Sequence, residues 1–104
     1  MKARMPQSSL AFSSIASLAP HLEAGDLSPV DVTDAVLARI EQHDQQLNSY
    51  ITVMVDSARH AARAAESAIL AGHYLGPLHG IPIAVKDLYA TRGVKTTFGS
   101  PLFA

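Results

Sequence analysis

Lys86 is the residue whose setting most suits chemistry. It directly follows Ile83-Ala84-Val85, the end of a short apolar run. An apolar run of that length reads as a buried strand, and a lysine at its end has a desolvated ammonium. Desolvation favours the neutral amine, which can act as a general base. Strand ends are also where open α/β sheets place their sites. Local composition by itself favours the plainer alternative, a lysine that reaches solvent at the strand end and pairs with Asp87, since surface lysines far outnumber catalytic ones. Asp87 itself either orients Lys86 or caps the next segment, and its place after a strand end favours the structural role.

The other titratable residues form no constellation. His21, His43, His60, His73 and His79 are scattered, with no i, i+4 pair and no adjoining carboxylate cluster, so no metal site is expected. His79 falls in the turn-forming string Gly76-Pro77-Leu78-His79-Gly80, where stabilising the turn suits it better than proton transfer. Gly76 and Gly80 make no G-x-G-x-x-G pattern and follow a helix, which argues against a dinucleotide loop. No cofactor is expected. With no cysteine, disulfides, thiolate catalysis and cysteine-based zinc sites are excluded.

The elements that position Lys86 follow from periodicity and punctuation. Residues 1–12 read as a flexible arm, and residues 13–104 as part of one domain. Ser13 or Ser14 caps a short helix carrying Ile15, Leu18 and Leu22 on one face. Gly25 stands where a left-handed terminator belongs, and Pro20 is expected to kink the helix or delay its start. Ser28-Pro29-Val30-Asp31 is the clearest start signal: a capping hydroxyl, a proline at the first helical position and an acid at the positive end of the dipole. Val32, Val36 and Ile40, with Leu37 beside them, then mark an amphipathic helix over 29–43. Residues 50–55 read as a short strand. Asp56 or Ser57 starts a third helix with Ala58, Ala62, Ala65 and Ile69 in one stripe, ended by Gly72. Residues 81–85 read as a second strand, with Pro82 at its beginning, where the lost N–H is tolerated.

The bulk numbers fit a folded chain. Of 104 residues, 48% are hydrophobic and 16% charged, with a formal net charge of -1. The eight Lys and Arg form no basic run, so nucleic acid is not an expected partner. Lys2 and Arg4 precede a moderately apolar stretch, but Ser13, Ser14 and Ser17 break it, which makes a poor export signal. No run approaches the roughly 20 apolar residues of a membrane span. A cytoplasmic location is expected.

Gly76-Pro77-Leu78-His79-Gly80-Ile81-Pro82-Ile83-Ala84-Val85-Lys86-Asp87 resembles the lysine motif of the amidase-signature family. Thr96-Thr97-Phe98-Gly99-Ser100 is similar to that family's TT-x-GS element. The Leu27-Ser28-Pro29 helix start, the Leu47-Asn48-Ser49-Tyr50 step and the alanine-rich helix match in kind. The likeness runs from about Ser14 to Ala104. It implies an α/β fold, helices flanking a mixed β-sheet, of which this chain would be the amino-terminal portion and incomplete. It also implies Lys86 as the catalytic lysine of a Ser–cis-Ser–Lys triad acting on a small-molecule amide. In such a triad the lysine takes a proton, through a middle serine, from the nucleophilic serine. The amine leaves, and water resolves the acyl-enzyme.

The sequence departs from that pattern in one respect. Both serines of the family lie in a Gly/Ser-rich stretch after the lysine, and nothing of that kind occurs here; Ser100 is too near the motif to serve. The chain also ends on apolar Leu102, Phe103 and Ala104, as a fold cut short would. Alone it is expected to be inactive and marginally stable, so that it aggregates, self-associates, or needs the remainder of the enzyme to fold. The alternatives are the A subunit of a glutamine-dependent tRNA amidotransferase, and a non-catalytic truncated protein that binds a partner.

Overall fold

The computed structural model describes residues 7–86 and 92–97. Four helices follow one another: α1, Gln7–Leu10; α2, Ile15–Ala24; α3, Pro29–Leu47; and α4, Val55–Leu70.

The ends of α2 and of α3 are those the capping chemistry dictates, whereas α4 opens at Val55, behind Met54 and ahead of the expected Asp56 or Ser57, with no side-chain cap. The Ser14 hydroxyl oxygen accepts the Ser17 N–H at 3.1 Å, and Gly25 closes α2 at φ 78°, its amide returning to the last turn. Gly25 suits that position because a left-handed residue without Cβ carries no steric cost. Pro20 lies within α2 and does not delay its start at Ile15. At α3, the Ser28 hydroxyl accepts the Val30 N–H at 3.1 Å, with Pro29 in the first turn and Asp31 behind it. This helix runs to Leu47, beyond the expected end at His43, because no breaker intervenes before Asn48 at φ 51°. Asp44 secures the exit. Its carboxylate accepts the N–H groups of Ser49 and Tyr50 at 2.8 and 3.1 Å.

Leu10, Leu18, Leu22, Leu27, Val32 and Ala35 form the core, and Ile81 packs against it. Leu10 lies in α1, within the stretch the sequence suggested as a flexible arm, and is buried. Ile15, expected on the buried face of α2, is exposed instead. Helix α4 buries Ala62 and Ile69 of its alanine stripe, with Ala58 and Ala65 half-buried. It packs on α3. An Arg59–Asp34 ion pair at 2.9 Å and a hydrogen bond from the Ser28 hydroxyl to Glu66 tie the two helices.

The two expected strands are not formed. Residues 50–54 and 81–86 have no regular secondary structure, Val55 opens α4, and Val94 makes an isolated bridge; among the described residues there is no β-sheet. The physical reason is pairing. A strand is stabilised by ladder hydrogen bonds to a neighbour, and no neighbour to 81–85 occurs among the described residues. Pro82 removes one donor besides. The mixed α/β sheet implied by the resemblance is therefore not present in these residues, which form a helical unit.

Candidate functional site

The apolar stripe of α3 is covered only over its first turns. Val32 and Ala35 are buried, whereas Val36, Leu37 and Ile40 are half-buried. These last three form the floor of a groove of about 920 Å³. The 49–54 segment and residues 82–86 wall it, with Val94, Lys95 and Thr96 at a further side. Asp44 holds the start of the 49–54 wall by the two hydrogen bonds it accepts from Ser49 and Tyr50. The walls carry large apolar side chains in water, among them Ile51, Val53, Met54, Ile83 and Val85.

Lys86 lines this groove and is exposed. The burial that the sequence suggested around its ammonium is thus not provided by these residues, since the flanking Ile83 and Val85 are themselves exposed. Asp87 and Ser100 lie outside the described residues. Of the TT-x-GS element, Thr96 lines the same groove as Lys86 and Thr97 is buried, while 98–100 lie outside the described residues. The structure therefore brings the lysine motif, the start of the threonine element and the Ser49-Tyr50 step to one concave face. Lys95 adds a second ammonium to that face. Sequence reasoning passed over it, because a lone lysine in a polar loop carries no pattern.

The turn before the lysine is well defined. Leu75 donates its N–H to Nδ1 of His79 at 3.0 Å, and the His79 N–H reaches the Gly76 carbonyl at 2.9 Å. Ile81 closes back on Leu78 at 3.1 Å, and the Tyr74 and His79 rings stack with centroids 6.0 Å apart. His79 thus stabilises the turn, as its position suggested. Elsewhere His21 pairs with Asp26 at 3.2 Å. No group of three or more metal-binding side chains occurs among the described residues. Among them, too, no helix is long and apolar enough to cross a membrane.

Chemically, the face carries two amines, at Lys86 and Lys95, hydroxyls at Ser49 and Thr52, and apolar walls for the non-polar part of a ligand. Comparison with known proteins bears on what it serves. The family model described as Amidase matches residues 31–104. The chain is 45% identical over 94 residues to an amidase of Pseudomonas putida, covering 90% of this chain and 20% of that protein. It is 48% identical over 86 residues to the A subunit of the glutamyl-tRNA(Gln) amidotransferase of Halorhodospira halophila, covering 83% and 18%. Against the protein of the same name from Geobacter sulfurreducens it is 51% identical over 77 residues, covering 74% and 16%. The chain spans about a fifth of the length of these curated relatives. No solved structure matches it.

Proposed function

The chain belongs to the amidase family, and on that premise we propose that it is the lysine-bearing, amino-terminal portion of an amide-bond hydrolase of the Ser–cis-Ser–Lys type. The observation that carries the proposal is the match over 31–104, which includes Lys86, together with the place of Lys86 on the wall of the groove. In this reading the neutral amine of Lys86 takes a proton through a middle serine from the serine that attacks the amide carbonyl. The acyl-enzyme forms as the amine leaves with a proton, and water then releases the acid. Both serines belong to a part of the enzyme outside these residues. That part also supplies the cover that removes Lys86 from water, and the strands with which 81–85 pair in an α/β sheet.

The test is ammonia release from simple primary amides, glutamine among them, by the native polypeptide isolated from its own cells. Lys86→Ala should lower kcat by about 10² to 10⁴-fold, the usual range for a general base. Lys86→Arg should not restore it, because a guanidinium does not give up its proton. Undiminished turnover in Lys86→Ala, or a native polypeptide without amide hydrolysis, overturns the proposal.

The relatives named for the A subunit of an amidotransferase match at identities as high as the amidase does, which favours one second reading. In that role the chain would act on glutamine and pass ammonia to a partner. Ammonia release confined to glutamine, and co-purification with other polypeptides of such a complex, would distinguish that case.

A further inference from the structure

Residues 81–86 carry Lys86 without regular structure of their own, and Ile83, Ala84, Val85 and Lys86 are exposed. What fixes their start is the turn immediately upstream. Ile81 packs against the core, and the turn is seated on the head of α3. A Cβ built on Gly80 would meet Pro29 Cγ at 2.9 Å and Pro29 Cβ at 3.1 Å. Gly80 also has φ 87°, in the left-handed region. Two independent constraints, space and backbone conformation, thus call for glycine at this one contact. The turn is closed on its other side by the bond from the Leu75 N–H to His79 Nδ1 and by the stack on Tyr74. Accepting at Nδ1 places the proton of the neutral ring on Nε2.

We propose that the turn from Tyr74 to Ile81 is a positioning device for Lys86, closed by His79 and seated on Pro29 through Gly80. The inference rests on reading Lys86 as the lysine of the proposed hydrolysis. His79 and Gly80 are positioning residues: neither lines the groove, and both act through the segment that leads to Lys86. Because Pro29 opens α3 directly behind the Ser28 cap, the seat connects the segment leading to Lys86 to the same helix whose Val36, Leu37 and Ile40 floor the groove. The lysine segment and the groove floor are thereby tied to one helix, through Gly80 on Pro29 and with Ile81 on the core.

The experiment compares three variants of the native polypeptide. His79→Phe keeps a ring against Tyr74 and removes the acceptor. His79→Asn restores an acceptor close to the Nδ1 position. Gly80→Ala forces the turn off Pro29. Misplacement of a catalytic group by about 1 Å costs on the order of 10²-fold, so kcat should fall about that much in Gly80→Ala. In His79→Phe it should fall about tenfold, the equivalent of one hydrogen bond. KM should stay within about twofold of the parent in both, and His79→Asn should recover most of the loss. Amide hydrogen exchange should follow the same order, faster over 75–86 in His79→Phe and Gly80→Ala, and near the parent rate in His79→Asn. Equal losses in His79→Phe and His79→Asn, or a parental kcat in His79→Phe, overturn the proposal. If the parent itself releases no ammonia, the catalytic reading fails, and exchange over 83–86 decides separately. Unchanged protection there in Gly80→Ala and His79→Phe removes the positioning role as well.

Discussion

Replacing Ile51 and Ile83 together by serine should weaken self-association of the isolated 104-residue chain by about two orders of magnitude. On the groove wall Ile83 is 80% and Ile51 62% exposed. Full burial of an isoleucine is worth about 2.5 kcal/mol, so covering what these two leave in water gains about 3 kcal/mol after imperfect contact. That corresponds to about a hundredfold in an association constant. Because both side chains already stand in water, the substitutions should leave the helical content and the core unchanged. Sedimentation velocity across the micromolar range, with far-ultraviolet circular dichroism as the control for folding, reads the effect. Two results refute the reasoning. One is a parent chain that stays a monodisperse monomer with a sharp cooperative melt. The other is a double variant that associates as strongly as the parent.

Two further outcomes follow from particular side chains. Ser28→Ala removes a helix cap and the hydrogen bond to Glu66 at once, and should destabilise the fold by about 2 kcal/mol. Ser28→Asn, which caps α3 equally well, should recover about half of that in urea titrations of the native polypeptide. The isolated 104-residue chain should not hydrolyse simple amides, because it has no Gly/Ser-rich serine pair; turnover that disappears in Lys86→Ala would contradict this.

What could be read from the residues was local. Ser14, Gly25, Ser28 and Pro29 mark helix ends by interactions within one turn, so their roles were legible without the fold. His79 was legible for the same reason: its partner Leu75 is four residues away. The strands were not, because a strand is a relation between distant segments, and neither 50–55 nor 81–85 finds its neighbour among the described residues. The stripe Val32, Val36 and Ile40 was correctly seen as apolar, but periodicity does not say what covers a face. Here the stripe is buried at Val32 and opens into the groove from Val36 onwards. Lys86 was singled out by its motif; its exposure follows from the lack of a sheet around 81–86, which the motif does not encode. The contact between Gly80 and Pro29 joins residues too far apart for spacing to suggest.

This divides the work of the site in a definite way. A lysine base needs two things: a fixed position and a dry surrounding. The first is built here from short-range parts, with His79 closing the turn, Gly80 seating it on Pro29 and Ser28 holding the head of α3. The second needs bulk, and the apolar walls at Ile51, Val53, Ile83 and Val85 are where that bulk would lie. An exposed apolar wall beside an exposed ammonium is unfavourable in water for the wall and favourable for the ion. Covering the face reverses both: the wall gains about 25 cal/mol for each Å² removed from water, and the ammonium loses hydration. In the proposed reading, the same covering step would supply the driving force for assembly and favour the neutral amine that proton transfer requires. The groove whose apolar walls stand in water is, in that reading, the surface whose closure would activate Lys86.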